Sequence, residues 1–298
     1  LPGTGPSAAL SQARQNTFPR QVVGNGGHVR QMFYTKEIEL SGRVSNNATR
    51  NAAPKSTNMP ADGLQYWGGP IQQKPAIYVV YWGDWSATGD PSGERAYLDS
   101  FLKGVGNSKW LNTVAQYSQT TGTDVGKASF HGVTRSWNDT SAVPDLSNDA
   151  TYGDAIAAEV QKAVQHFGDN SGSSSYVIAV AHNTPVSGFG SYYCAWHSYL
   201  TVNGVNVAYT NLPYMPDAGP SCGQGFVNNP GSNDGVSIVE GHEQAETETD
   251  PQLNAWFDYY GNEIGDKCAW FDLQNTKLST GTFPTQPLWS NNADNCVQ

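Results

Sequence analysis

"PAIYVVYWG", Pro75 to Gly83, is a short unbroken run of apolar, β-branched and aromatic residues, opened by proline and closed by glycine. A run of that length and character predicts a buried central strand. Helical patterns follow it. "SGERAYLDSFLKGV" sets Tyr97, Phe101 and Leu102 along one side, and "SKWLNTVAQY", Ser108 to Tyr117, repeats the pattern behind a serine cap. In "TYGDAIAAEVQKAVQHFG", Ile156, Val160, Ala163, Val164 and Phe167 form one apolar stripe that ends at Gly168. "SSYVIAVA" and "NGVNVAYTNLP" read as a second and a third strand. Strands and helices that alternate without an internal repeat predict a single mixed α/β (α+β) domain, with a central mixed sheet and covering helices.

We place that domain at residues 61–298. Residues 1–60 are rich in Gly, Asn, Ser, Pro and Ala, with one strand pair around "QVV" and "MFYTKEIEL". They read as an N-terminal arm that wraps the body or remains from a pro-segment.

Composition narrows the function. With 32 Gly, 17 Pro, 15 Tyr and 9 Trp but only 14% charged residues, the chain reads as a loop-rich, aromatic-rich globular protein and not a helical bundle. A net charge of −10 disfavours nucleic acid and anionic membrane surfaces as partners. No run of about 18 apolar residues is present to span a bilayer. Cys194, Cys222, Cys268 and Cys296 show no CxxC spacing, so disulfides are a better use for them than a zinc cluster. Sequential pairing, Cys194–Cys222 and Cys268–Cys296, is the first choice of three connectivities. Two sequons, at Asn47 and Asn138, are compatible with the secreted, extracellular monomer that these features imply.

After a Gly-, Asn- and Pro-rich loop comes "VEGHEQAETETDP", Val239 to Pro251. It starts like the zinc-peptidase helix HExxH but carries Glu246 where the second histidine belongs. Asn233 or Asp234 can cap a helix running to about Thr249, with Pro251 beyond its end. His242 and Glu246 then project from one face, one turn apart, with Glu243 about 100° round from His242. Two ligands on one helix beside a carboxylate that can take a proton from water is the geometry of zinc hydrolases. "NEIGD" places Glu263 and Asp266 seventeen and twenty residues past Glu246, where some peptidases carry a third ligand on the next helix. Nine acidic residues and no Lys or Arg occur between Gly231 and Asp266, a cluster that needs a cation or protons to neutralise it. The bland alternative is an acidic, solvated helix. One histidine with two carboxylates suits zinc less well than two histidines, so Ca²⁺ and Mn²⁺ stay open beside it. His182 ("VAHNT") or His197 ("CAWHS") can supply a second nitrogen from the strand side, or be an ordinary core histidine.

An ordered set of segments resembles the phosphate-induced, EXORDIUM-like family, in particular its microbial secreted members. It comprises "LQYWGGPI", "PAIYVVYWGDW", "SKWLNTVAQYSQ", "YYCAWHS", "NDGVSIVEGHEQAETETDP", "AWFDYYGNEIGDKC" and "PLWSNNADNC", from about Leu64 to Cys296. Microbial relatives are similar in carrying a His-Glu helix, then Thr-Asp-Pro, Ala-Trp and Glu-Ile-x-Asp-x-Cys. That resemblance implies weight for His242, Glu243, Glu246, Asp250, Glu263 and Asp266. Plant members largely lose the His-Glu pair and are regarded as wall-associated growth proteins.

The leading expectation is a secreted metal-dependent hydrolase with zincin-like organisation, an endopeptidase acting on a polypeptide substrate. In it His242, Glu246 and Glu263 hold a divalent ion, zinc first and calcium next, with Asp266 as substitute. Glu243 is the general base, and Trp256, Phe257 and Tyr259 can hold an extended peptide, although core packing explains them equally well. One competing reading is a metal-independent acid peptidase or glycosidase built on a carboxylate pair. The other is a non-catalytic, Ca²⁺-stiffened wall- or carbohydrate-binding module.

Overall fold

The computed structural model describes residues 21–23, 28–41, 63–119, 126–127 and 133–298. A seven-stranded mixed sheet forms the centre. Its strands are β1 (Gln21–Val23), β2 (Val29–Tyr34), β3 (Ala76–Trp82), β4 (Val133–Asp139), β5 (Ser174–Val180), β6 (Tyr193–Val202) and β7 (Val205–Leu212). They run in the order β1-β2-β6-β7-β5-β3-β4. The stretch 75–83 is the buried strand its composition predicts. β3 lies parallel to β4 on one side and to β5 on the other, and β5 is parallel to β7. The other half, β7-β6-β2-β1, is antiparallel.

Two covered faces explain why β3 is apolar on both sides. Ile77, Val79 and Tyr81 enter one core, and Tyr78, Val80 and Trp82 enter the other. Helix α1 (Glu94–Val105) links β3 to β4 and buries Leu98, Phe101 and Leu102 in the first core. Helix α2 (Tyr152–Phe167) links β4 to β5 and buries Ile156, Val160, Ala163 and Val164 in the second. Gly168 ends α2 at φ 69, the left-handed cap that glycine adopts without strain. The segment at Ser108 forms 3₁₀ turns over Leu111–Gln116 instead of an α-helix, and Ser108 Oγ accepts the Leu111 N–H at 3.0 Å.

Helix α3 (Asp234–Thr249) follows β7 and lies on the same face as α1. Every residue of α3 is buried, which overturns the solvated-helix alternative. Its neighbours include β6, β7, α1 and the hairpin strand Gly281–Thr285. Asn233 stands at the N-cap position without a side-chain cap bond. Asp234 folds back on the preceding loop, where Oδ2 accepts the Val227 and Asn228 N–H groups at 2.9 and 2.7 Å.

Strand β2 brings part of the N-terminal stretch into the sheet. Phe33 enters the first core, and Met32 and Tyr34 enter the second. A strand pair is present as β1 and β2, but its second strand stops at Tyr34 and residues 36–41, expected to continue it, are helical; the rest of residues 1–60, with the Asn47 sequon, lies outside the described residues apart from 28 and 35–41. Asn138 is exposed at the end of β4. Disulfides join Cys194 to Cys222 and Cys268 to Cys296, the sequential pairing, which fits an oxidising compartment. Among the described residues no helix is long and apolar enough to cross a membrane.

Candidate metal centre

α3, β6 and the loop after Phe257 converge on a buried group of two histidines and four carboxylates. His242, Glu243 and Glu246 come from α3, His197 from β6, and Glu263 and Asp266 from the loop; each is at most 1% exposed. The cause is register. Phe33 pairs with Ala195 and Gln31 with His197, and the Phe33–Ala195 row belongs to the first core. His197, two residues along from Ala195, therefore points at α3.

The two histidines are held alike. His197 Nδ1 lies 3.0 Å from Glu243 Oε2, while Nε2 faces Glu263 Oε2 at 3.5 Å. His242 Nδ1 lies 3.3 Å from Gln286 Oε1, while Nε2 faces Glu246 Oε1 at 3.1 Å and Asp266 Oδ1 at 3.6 Å. The Gln286 amide is oriented by its other end, since Nε2 donates to the Gly265 carbonyl at 2.8 Å. With a cation at Nε2, each Nδ1 proton would meet an oxygen, the arrangement that orients metal-ligating histidines; without one, His242 Nε2 donates its proton to Glu246 Oε1.

Asp266 is fixed from three sides. Gln31 Nε2 donates to Oδ2 at 3.0 Å, the Glu263 N–H donates to the same oxygen at 2.9 Å, and the Asp266 N–H donates to Glu246 Oε1 at 3.0 Å. The ring of Phe33 stacks on His242 with centroids 3.8 Å apart and planes 8° from parallel.

Electrostatics set the problem this cluster must solve. Burial, then the charges of Glu246, Glu240 and Asp266, holds the Glu243 carboxyl well above its ordinary range. Burial, then Glu246 and Asp250, does the same for Glu263. For Glu246 burial acts upward too, but the charge and hydrogen bond of His242 win and keep it ionised. Burial lowers His197 to about 4, against the pull of Glu246. Desolvating one carboxylate costs several kcal/mol, so so many in one place require cations or protons.

The spacing is informative about which. A charge-assisted hydrogen bond has its heavy atoms about 2.7–2.9 Å apart. Two donors sharing a tetrahedral ion at about 2.0–2.1 Å stand roughly 3.3–3.5 Å apart. The 3.5 and 3.6 Å separations between Nε2 atoms and carboxylates are longer than a hydrogen bond and leave room for an ion, while His242 Nε2–Glu246 Oε1 at 3.1 Å is close to a hydrogen bond. Two sets of donor atoms are close enough to hold an ion: His197 with Glu246 and Glu263, and His242 with Glu246 and Asp266.

The sequence-derived set divides accordingly. His242, Glu243, Glu246, Glu263 and Asp266 come together as the spacing predicts, and His197 joins them. Glu263 stands in a loop and Asp266 opens a 3₁₀ turn, Asp266–Cys268, so neither is on a following α-helix. Asp250 closes the turn after α3, its Oδ1 accepting the Asn254 and Ala255 N–H groups, each at 2.6 Å. His182 goes elsewhere: beyond the end of β5 and partly exposed, it pairs through Nδ1 with Asp217. Phe257 is buried and stacks on Trp67, so it is a packing residue and not part of a peptide-binding surface. Sequence reasoning missed Gln31, Gln286, Phe33 and Glu240. Glu240 is fully buried, neither of its oxygens has a hydrogen-bond partner, and burial lifts its carboxyl to about 8. A cleft of about 630 Å³ lies at the carboxyl ends of β3 and β4, lined by Trp85, Asn138 and Val143 among others, and no residue of the cluster lines it.

Fold and site together define a mixed α/β domain whose buried His-Glu helix presents a histidine–carboxylate cluster. The chain is 26% identical over 243 residues to Protein EXORDIUM-like 5 of Arabidopsis thaliana, a match covering 69% of this chain and 63% of that protein. That similarity supports a place among EXORDIUM-like proteins, although the match spans less than two thirds of the relative's length. No family model matches the chain, and no solved structure does.

Proposed function

We propose that the chain is a secreted metal-dependent hydrolase, an endopeptidase, with zinc as the first candidate ion and calcium as the second. The observation that supports this reading is the facing pair of histidines, each oriented at Nδ1 by an acceptor and each turning Nε2 to carboxylates. A divalent cation bound there supplies Lewis acidity towards a carbonyl and acidifies a water. His242, Glu246 and Asp266 are one set of holders, so Asp266 takes the place beside His242 that the sequence reading gave to Glu263. Glu243 orients His197 through Oε2, and its Oε1, which has no hydrogen-bond partner, is the atom left to take a proton from water. Phe33 and Trp270 stack in series over His242, so the site is closed, and a polypeptide reaches it only when that cover moves.

Closure favours a second reading, in which the ion stiffens a non-catalytic, wall-interacting module. A casein digest of the purified protein, run with and without chelator beside a thermal melt, separates the two. Digestion that stops on chelation and returns with zinc supports the hydrolase. Absent digestion with a melting temperature lowered by chelator supports the structural ion. Digestion that survives chelation overturns both and favours a carboxylate-pair acid mechanism.

A further inference from the structure

Glu246 belongs to both donor sets, and its two oxygens face different histidines. Oε1 lies 3.1 Å from His242 Nε2, and Oε2 lies 3.6 Å from His197 Nδ1. From this arrangement we infer that the centre holds two divalent cations bridged by the Glu246 carboxylate. The inference rests on the metal-binding reading above and fixes its stoichiometry.

One ion sits with His242, Asp266 and Oε1 of Glu246. The other sits with His197 Nε2 and Glu263, within reach of the Glu246 carboxylate. Four features carry this. First, each set has its donor atoms within 4.8 Å of one another, and Glu246 is the residue they share. A carboxylate that gives one oxygen to each ion suits the roughly 3.5–4 Å between metals in two-metal hydrolase sites.

Second, both histidines are oriented as ligands are. Each has its own contact at Nδ1, Glu243 for His197 and Gln286 for His242, the support that a metal-ligating imidazole usually carries. Third, His197 Nε2 is fully buried and forms no hydrogen bond, Glu263 Oε2 standing 3.5 Å away. A fully buried imidazole nitrogen left without a partner costs about 1–3 kcal/mol, a cost that ligation removes.

Fourth, the cluster is acidic. Glu243, Glu246, Glu263 and Asp266 stand around two imidazoles with the buried Glu240 and Asp250 beside them, and a second divalent cation offsets that charge further than one does.

The test is a titration of chelator-stripped full-length protein with Zn²⁺, read by calorimetry and by elemental analysis after desalting. A parallel sample is loaded with Mn²⁺ for electron paramagnetic resonance. The expected result is two ions per chain, with the Mn²⁺ sample showing an exchange-coupled pair in place of the six-line spectrum of an isolated ion. His197→Asn and His242→Asn should each retain one ion, their folding checked by circular dichroism. If either variant does not fold, the unsubstituted protein still decides. One ion per chain with an uncoupled Mn²⁺ spectrum overturns the two-ion centre and leaves the proposed function standing. No bound ion overturns both.

Discussion

Gly265 passes the imidazole of His242 so closely that a Cβ built on it would lie 2.5 Å from Nδ1 and 2.9 Å from Cε1. Its φ of −81 is open to any residue, so the need for glycine here is steric and not conformational. His242 cannot retreat, because Phe33 stacks on it at 3.8 Å. Gly265→Ala therefore turns the ring or lifts the 263–268 loop, and either movement separates Nε2 from Asp266. The variant should bind Zn²⁺ at least tenfold more weakly by calorimetry while remaining folded by circular dichroism. Unchanged affinity would show that the loop yields without disturbing the histidine.

Glu243 holds His197 through one oxygen and keeps the other free. Glu243→Gln preserves shape and removes the base. In the casein digest we expect the rate to fall by roughly 10²–10⁴, the usual share of a general base. The melting temperature should change little, because the amide oxygen can still accept from His197 Nδ1. Full retention of rate would remove Glu243 from the mechanism.

The disulfide Cys268–Cys296 anchors the short strand Asn295–Val297 to the turn that begins with Asp266. Loop-closure entropy for a separation of 28 residues is worth about 3–4 kcal/mol. Replacing both cysteines by serine should lower stability by about that amount in urea unfolding, and should weaken Zn²⁺ binding as Asp266 loosens. The same pair of substitutions at Cys194 and Cys222 should lower stability comparably. It releases the turn at Met215–Cys222 and not the Asp266 loop, so its effect on affinity should be smaller.

A pH dependence arises far from the cluster, on α2. Burial, then a hydrogen bond with Asp139 and its charge, raises the Glu159 carboxyl from 4.5 to about 8. The folded state thus keeps a proton that the unfolded chain releases. Its contribution is fully present below about pH 4.5 and is lost as pH rises towards 8. Glu159→Gln keeps a donor to Asp139 at every pH. Urea unfolding at pH 5 and pH 8 should show the variant flatter in this window, by on the order of 1 kcal/mol, since Lys162 beside the pair is partly solvated. Parallel pH profiles for variant and parent would contradict the assignment.

How much of this was legible in the sequence depended on what kind of pattern carried it. β3, α1, α2 and β5 are apolar in the period of their structure, and pattern reading finds them. β6 was missed because "YCAWHSYLTV" mixes polar and aromatic residues without alternation; its polar side faces a polar interior. The spacing of His242, Glu243 and Glu246 was legible because three or four residues make one helical turn. The complete burial of α3 was not, since its composition is that of a solvated helix; it is buried because its charges meet one another and His197. Gln31 and Gln286 could not be found at all. Their partners Asp266 and His242 lie 235 and 44 residues away in sequence, and glutamine carries no pattern of its own.

Elemental analysis of the protein as purified, without added metal, is the most direct test of a cation shared through Glu246, compared with Glu246→Gln prepared in the same way. We predict at least one zinc or other divalent ion per chain in the parent and close to none in the variant. A parent that is folded, carries no divalent ion and takes none up from zinc-containing buffer would contradict the metal centre outright.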